Sequence, residues 1–279
     1  MGVWWSGSWN LDDDSSVDAA AELEALGYTA LWSSGGFQPG LSTRFERLLA
    51  GTTRLSVLSG IVSIWATPPD ELGRAVADLD DRYPGRFQLG LGVSHAPIVE
   101  RYSRPYSHMV DYLDVLDAAG PEVGNDRRVL AALGPRMLRL AAERAAGAHP
   151  YFVPVEHTAR AREVMGAGAL LAPELTVVLE RDPDTARARA RSFTTGYLGL
   201  PNYADNLRSL GFGDEELADG GSDRLVDAVV AWGSPDDVAT RVRQHLAAGA
   251  DHVCVQVVAP MESFPLEAYR SLAPALLGV

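Results

Sequence analysis

The stretch of residues 85–95 reads GRFQLGLGVSH and places a histidine at the end of a glycine-containing apolar run. Gly90 and Gly92 have the spacing of the first two glycines of a dinucleotide-binding fingerprint, but His95 stands where the third glycine belongs. That fingerprint also occupies the first strand-to-helix turn of its domain, whereas this stretch comes about a third of the way along the chain. The pattern therefore predicts a strand whose end contacts a ligand in some other way.

His95 is the candidate catalytic residue of this stretch, because an imidazole titrates near neutrality and can donate a proton or stabilise charge. Gly90 and Gly92 would let a flat ligand approach the backbone closely. Packing inside a sheet also demands small residues, so this alternative stays open for the glycines. For His95 the alternative is a side chain that caps the next helix or faces solvent.

A second stretch, residues 132–136, reads ALGPR and resembles a strand, a tight turn and a helix start. Gly134 would lie in the turn and Pro135 at the first helical position, which leaves backbone amides free to bind an anion such as phosphate. A plain helix start without a ligand is the alternative. Arg136 would add a positive charge, although arginines on this helix are equally consistent with plain surface charge. The chain from 125 to 144 holds five arginines: Arg127, Arg128, Arg136, Arg139 and Arg144.

Strand and helix patterns alternate along the whole chain. Eight apolar strand patterns, counted from VWW near the start, are each followed by a helix pattern, and several are continuous apolar runs typical of a covered parallel sheet. Eight such units in roughly 250 residues predict an α/β fold, a (β/α)8 TIM barrel. An open doubly wound sheet is the alternative. We expect one domain over residues 1–279, with an irregular excursion at about 200–234 that contains two short helices.

Ligands of a TIM barrel bind at the carboxyl ends of its strands, so the ends of the predicted strands form one candidate site. Aromatic residues near these ends, such as Trp4, Tyr102 and Tyr106, could line an apolar pocket. Strand alternation predicts that only one of Trp4 and Trp5 faces inward. The candidate cofactor-binding residues are Ser34, Gly60, Ile61, Gly92, Val93, Ser94, Leu133, Gly134, Pro135 and Arg136.

The composition narrows the class of partner. A net charge of −13 argues against nucleic acid or an anionic membrane surface, and no apolar run is long enough to span a bilayer. Cys254 is the only cysteine and lies in an apolar strand, where a buried, inert thiol is expected. The six histidines lack metal-ligand spacing, and no phosphate-binding P-loop or serine-hydrolase elbow occurs. We expect a cytoplasmic protein without a metal that acts on a small molecule.

Five segments together resemble the luciferase-like monooxygenase superfamily, and in particular its branch that uses the deazaflavin coenzyme F420. The segments are GYTALW, LSVLSGIVS, YPGRFQLGLGVS, AALGPRMLRLAAERAAG and GADHVCVQ, and they cover nearly the whole chain in order. The resemblance implies a TIM barrel with a flavin-type ring lying over the strand ends. It also makes a homodimer possible.

The resemblance assigns roles to residues by position. It implies a non-prolyl cis peptide in the third strand, near Gly60-Ile61, pressing on the ring. Val93, Ser94 and His95 match the segment that runs beside the ring in the family. Residues 133–135, Leu133 to Pro135, match the family's phosphate-binding turn.

One departure from the family bears on the reaction. Sugar-phosphate dehydrogenases of the superfamily carry an Asp-His pair after strand two, where residues 33–37 here read SSGGF. The pair that would take a proton from an alcohol is absent there, which favours reduction or oxygenation. The sequence predicts an F420-dependent oxidoreductase that passes a hydride between the deazaflavin and a small hydrophobic substrate. An FMN-dependent monooxygenase and a non-catalytic flavin-binding protein are the alternatives.

Overall fold

The computed structural model describes residues 1–5, 13–34, 41–118, 123–260 and 263–278. Eleven strands occur in these ranges, and every pairing between them is parallel. The strands are β1 (Gly2–Trp5), β2 (Ala30–Ser33), β3 (Ser56–Ser59), β4 (Val62–Ser63), β5 (Phe87–Gly92), β6 (Arg128–Leu130), β7 (Gly147–Ala148), β8 (Leu170–Leu171), β9 (Glu174–Val178), β10 (Val230–Trp232) and β11 (Cys254–Val257).

The helices follow the strands as the sequence predicts, and proline stands at or near the start of several of them, where its missing N–H costs nothing. The α-helices of the described chain are α1 (Asp13–Leu26), α2 (Leu41–Ala50), α3 (Pro69–Arg82), α4 (Pro105–Ala118), α5 (Pro135–Arg144), α6 (Val155–Met165), α7 (Pro183–Leu198), α8 (Pro201–Ser209), α9 (Asp214–Leu217), α10 (Asp223–Val229), α11 (Pro235–Ala247) and α12 (Leu266–Leu277). No described helix combines the length and apolar character needed to cross a bilayer.

The sheet curls into a closed barrel. β8 and β9 occupy one strand position of the barrel and are separated by Ala172 and Pro173. On one side, Ala172 N donates to Ala148 O at 2.9 Å, which joins this segment to β7. On the other side, β9 pairs with β11, and β11 pairs with β1. The prediction of a (β/α)8 barrel is therefore confirmed, and the open-sheet alternative is wrong.

The third predicted strand is interrupted where the resemblance places an unusual peptide. The bond between Gly60 and Ile61 is cis, and it separates β3 from β4. β3 pairs with both β2 and β5, whereas β4 pairs only with the carboxyl-terminal end of β5. The expectation of a cis peptide at this position is confirmed.

The excursion between α7 and α11 is more regular than the sequence indicates. It holds three α-helices, α8, α9 and α10, rather than two, and a short 3-10 turn at Ala218–Gly220. Near its end the excursion also contains β10, which pairs with the carboxyl-terminal part of β9. The sequence analysis does not predict this strand. Tyr203 and Leu207 on α8 are buried, so one face of this helix packs over the barrel.

The first strand shows how the barrel interior is separated from the outer layer. Trp4 pairs in register with Trp32 of β2, and both are buried. The neighbouring Trp5 instead packs against Phe264, with ring centroids 4.7 Å apart, in the layer between sheet and helices. The expected alternation between Trp4 and Trp5 is therefore present, and Trp4 is the residue that reaches the ligand side.

Candidate functional site

A cavity of about 670 Å³ lies at the carboxyl ends of the strands. Its size suits a small organic molecule or a cofactor ring, and most of its inner wall is apolar or aromatic. The structure brings all eleven predicted site residues to it. They are Ser34, Gly60, Ile61, Gly92, Val93, Ser94, His95, Leu133, Gly134, Pro135 and Arg136.

Gly90 and Gly92 of β5 pack closely against the third strand of the barrel, which is interrupted between β3 and β4. A Cβ atom on Gly90 would overlap the carbonyl oxygen of Ser59, and Gly90 N donates to the Ser59 hydroxyl at 2.7 Å. A Cβ atom on Gly92 would lie 2.6 Å from the Ile61 side chain. The interpretation of Gly90 as a place for ligand approach is therefore wrong, because its backbone is covered by β3. Gly92 both makes room for Ile61 and lines the cavity.

His95 follows β5 and lines the cavity, which excludes a purely solvent-facing side chain. Its ring lies against Tyr203 of α8, with centroids 5.0 Å apart. The Nδ1 atom of His95 is buried and has no hydrogen-bond partner among the described residues. Burial lowers the pKa of His95 below its ordinary value, so the imidazole is mostly neutral at pH 7. A neutral imidazole can accept a proton from a ligand, and its protonated form can donate one.

The turn before α5 has the geometry that the sequence predicts. Gly134 is the N-cap of α5 and supplies no side-chain cap, and Pro135 begins the helix. The backbone amides at this helix start therefore face the mouth of the cavity without a side-chain acceptor. Arg136 lies over the Tyr106 ring, 4.0 Å from its centroid, at the same rim. This arrangement could receive an anionic group.

Three of the other arginines near this turn are occupied by acidic partners, as the surface-charge alternative predicts. Arg127 pairs with Asp80, Arg128 pairs with Asp117 at 2.6 Å, and Arg144 pairs with Asp117 at 2.7 Å. Arg136 is the one of these arginines that lines the cavity. The arginine excess therefore serves mainly to join α4, α5 and the start of β6.

The floor of the cavity carries two buried polar atoms without partners in the described chain. One is the indole Nε1 of Trp4, a donor, and the other is Nε2 of His149. His149 Nδ1 lies 2.7 Å from the carbonyl oxygen of Ala172 and must donate to it, which leaves Nε2 as an acceptor. Burial lowers the pKa of His149 to about 4, and its ring stacks on Trp32 at 4.0 Å. The residues of the floor thus hold one unpaired N–H donor and one unpaired imidazole acceptor, and both atoms are buried.

Three tyrosines form one wall of the cavity, here called the tyrosine wall, and the sequence analysis did not identify them. Tyr151 follows β7, Tyr197 lies near the end of α7, and Tyr203 lies on α8. The Tyr151 hydroxyl lies 2.8 Å from the Tyr197 hydroxyl and 2.7 Å from Gln256 Oε1. Tyr151 lies shortly after β7, so the rule that ligands bind at strand ends could have found it. Tyr197 lies in α7 and Tyr203 in a helix of the excursion, where an aromatic residue also suits plain packing.

Ser34 directly follows β2, is the last described residue before position 41, and lines the cavity. The following residues, Gly35, Gly36 and Phe37, which replace the acid–base pair of the sugar-phosphate dehydrogenases, lie outside the described residues. Within the ranges that the structure covers, no three His, Cys, Asp or Glu side chains lie close enough to hold a metal ion. Cys254 is buried, and burial raises its thiol pKa well above the ordinary value.

Comparison with known proteins agrees with this architecture. The model of the luciferase-like monooxygenase family matches residues 12–125 and 120–252. The chain therefore belongs to the luciferase-like monooxygenase family. Members of this family are oxidoreductases and monooxygenases, and the chain is an enzyme of that class. No curated protein matches the sequence.

Solved structures with the same fold have different cofactors in their names. An F420-dependent secondary alcohol dehydrogenase, in complex with an F420-acetone adduct, superposes with a TM-score of 0.75 at 12% identity, over 99% of both chains. The coenzyme F420-dependent tetrahydromethanopterin reductase from Methanopyrus kandleri gives 0.72 at 16% identity, over 100% of this chain and 98% of that one. The FMN-bound oxygenating constituent of 3,6-diketocamphane monooxygenase from Pseudomonas putida gives 0.67 at 14% identity, over 98% and 96%.

Proposed function

We propose that the chain is an F420-dependent oxidoreductase that transfers a hydride between the deazaflavin and a small, uncharged, largely apolar organic substrate. The observation that carries this proposal is the cavity at the strand ends, in which the Gly60-Ile61 peptide, the loop of Ser94 and His95, and the turn at Gly134 meet. Two of the structural relatives above are named as F420-dependent, and the sequence resemblance points to the same branch of the family.

The residues present suit a deazaflavin or flavin. Such a ring is flat and apolar on its faces, and its pyrimidine edge carries carbonyl oxygens and an N–H group. The unpartnered Trp4 Nε1 donor and His149 Nε2 acceptor offer the complementary pair on the cavity floor. Leaving buried polar atoms unpaired costs about 1–3 kcal/mol each, so a ligand that pairs them gains by binding here.

Each part of the cavity then has a role in holding the cofactor. Ser34, Gly60, Ile61, Gly92, Val93 and Ser94 would surround the ring, and Leu133, Gly134, Pro135 and Arg136 would receive its phosphate. The cofactor supplies the redox chemistry, and the protein supplies position and electrostatics. His95 would hold or deliver a proton at its imidazole nitrogen next to the reacting atoms. The apolar wall would exclude water from them.

An FMN-dependent monooxygenase would use the same walls, and one of the structural relatives binds FMN. The two functions differ in what the reduced cofactor reacts with. Reduced F420 would pass a hydride to an organic acceptor without oxygen, whereas reduced FMN would require oxygen. The experiment is therefore an anaerobic assay that follows reoxidation of reduced F420 by a panel of small apolar carbonyl compounds. A parallel assay supplies reduced FMN with oxygen and the same compounds.

The proposal predicts acceptor-dependent reoxidation of reduced F420 under anaerobic conditions, abolished by heat inactivation of the protein. Product formation only with reduced FMN and oxygen would overturn the F420 assignment and favour the monooxygenase. Absence of turnover in both assays, with cofactor still bound, would favour a flavin-binding protein without catalytic activity.

A further inference from the structure

The tyrosine wall contains a directed chain of hydroxyl groups that ends in the cavity. The Tyr151 hydroxyl lies 2.7 Å from Gln256 Oε1, which can only accept, so the single hydrogen of Tyr151 is donated to Gln256. The Tyr197 hydroxyl lies 2.8 Å from the same Tyr151 oxygen. Because Tyr151 has no second hydrogen, Tyr197 must be the donor in that pair. The remaining lone pairs of the Tyr197 oxygen can therefore only accept a hydrogen bond.

Neither Tyr151 nor Tyr197, the two phenols of this chain of hydrogen bonds, ionises in the physiological range. Burial raises the pKa of Tyr197 to about 12 and that of Tyr151 well above its ordinary value. The Tyr197 oxygen is therefore a neutral acceptor, not a phenolate that would attract a cation or act as a base. Gln256 fixes the direction of the chain from the barrel interior, where it is only 4% exposed.

Within the wall, the ring of Tyr203 contacts both His95 and Tyr197. Tyr203 lies 5.0 Å from His95 and 5.4 Å from Tyr197, measured between ring centroids. Among the described residues that line the cavity, the carboxylate and guanidinium side chains are those of Asp205 and Arg136, and both are exposed at the rim. The histidines there have lowered pKa values, which favours their neutral form. The inner wall is therefore uncharged and mostly aromatic, which disfavours a charged ligand.

We propose that the compartment between His95 and Tyr197 binds the substrate, and that Tyr197 selects an uncharged, apolar molecule bearing a hydroxyl or N–H group that donates to its oxygen. This inference rests on the proposed function in taking the cavity as the place where substrate meets cofactor. The donor group would anchor one end of the substrate at Tyr197 and direct the other end along Tyr203 toward His95. A hydrogen bond of this kind discriminates against a ligand that lacks the donor.

Phenol and anisole are suitable probes, because they share an aromatic body and differ in whether the oxygen carries a hydrogen. Dissociation constants are measured by ligand-observed NMR on the purified full chain without cofactor. The wild-type protein should prefer phenol by about five- to tenfold. Tyr197→Phe should reduce phenol affinity to the level of anisole. Tyr83→Phe, a tyrosine outside the residues that line the cavity, should keep the wild-type preference.

Two variants test the direction of the hydrogen bonds rather than the presence of the Tyr197 oxygen. Tyr151→Phe and Gln256→Leu each release the hydrogen of Tyr197, so that its hydroxyl can donate to anisole as well as accept from phenol. Both should lower the phenol preference below about twofold without weakening phenol binding. If Tyr151 and Gln256 only supported the structure of the wall, replacing them would weaken the binding of phenol and of anisole equally. Circular dichroism and thermal unfolding confirm that each variant is folded.

Equal binding of the two probes by the wild type, a preference for anisole, or no binding of phenol at millimolar concentration would overturn the inference. An unchanged preference in Tyr197→Phe would do the same. Cofactor titrations on the same proteins separate this inference from the proposed function. A phenol preference with no binding of F420 or FMN would leave the selectivity of the wall standing and contradict the proposed function alone.

Discussion

The Asn202 side-chain amide donates a hydrogen bond of 3.2 Å to the backbone carbonyl of Ser94, which ties α8 to the loop that carries His95. Ser94 has a φ of 55°, a left-handed conformation that is uncommon for residues other than glycine. The next residue along α8, Tyr203, packs against the His95 ring. Two regions 108 residues apart in the chain therefore hold His95 in place together.

Asn202→Ala removes this connection and should lower turnover by about two- to tenfold, because a single neutral hydrogen bond contributes about 1 kcal/mol to positioning. The free energy of unfolding should fall by about 1 kcal/mol or less. The measurements are steady-state kinetics and chemical unfolding, with Asn206→Ala on the same helix as the matched control. Equal turnover in the two variants would show that the contact does not position His95.

His95→Ala should leave cofactor affinity nearly unchanged and lower turnover by ~10²–10⁴-fold, the usual size for a lost general acid. The lowered pKa of His95 adds a dependence on pH. Its protonated form, the stronger acid, becomes populated only below the ordinary histidine pKa of about 6.5, so substrate reduction should speed up as the pH falls through that region. His95→Gln cannot titrate and should lose this rise. Full activity in either variant, measured beside His108→Gln as control, would exclude the role.

Arg136→Glu should weaken binding of a phosphorylated cofactor by ~1–3 kcal/mol, because it replaces a charge-assisted contact with repulsion at the start of α5. Arg139→Glu makes the same change of charge on the same helix but outside the residues that line the cavity. Equilibrium binding of the cofactor at two salt concentrations compares the two variants. The same loss of affinity in both would indicate only a general effect of charge.

Glu174 should make the folded protein less stable as the pH rises. Its carboxyl is buried beside Phe152 N and the Thr176 hydroxyl, and burial raises its pKa to about 8 from an ordinary 4.5. The folded state therefore keeps a proton that the unfolded chain releases above about pH 4.5, so this contribution is complete at low pH and is lost as the pH rises toward 8. Glu174→Gln keeps a neutral group there and should remove that loss.

Thermal unfolding of wild type and Glu174→Gln from about pH 5 to about pH 9 measures the difference. Buried histidines have the opposite effect, since their lowered pKa values cost stability as the pH falls below about 6.5, but they are common to both proteins and cancel. A melting temperature that falls equally with pH in the two proteins would contradict the account of Glu174.

The barrel could be predicted because each strand-helix unit carries its own local signals. α4, for example, begins at Pro105, and proline at the first helical position is a local signal for a helix start. β10 could not be predicted, because its three residues continue the apolar run of α10 and become a strand only by pairing with β9. The excursion was likewise underestimated, since Gly, Asp and Asn suggest loops where three helices form.

The site followed from one rule about strand ends, which is why the predicted residues meet at one cavity. The rule does not identify residues that reach the cavity from α7 or from the excursion, such as Tyr197, Tyr203 and Asn202. Nor does it show which polar atoms lack partners. From sequence alone, Trp4 and His149 would be interpreted as core residues. Only the structure shows that Trp4 Nε1 and His149 Nε2 have no hydrogen-bond partner among the described residues.

Equilibrium titration of the purified protein with F420 and with FMN, followed by cofactor fluorescence under identical conditions, tests the central claim most directly. The account predicts saturable binding of F420 at least about tenfold tighter than FMN, a difference of about 1.4 kcal/mol. Weaker binding in Arg136→Glu and unchanged binding in Arg139→Glu would locate the phosphate end at the turn before α5. Tighter binding of FMN, or no saturable binding of either cofactor, would contradict the account.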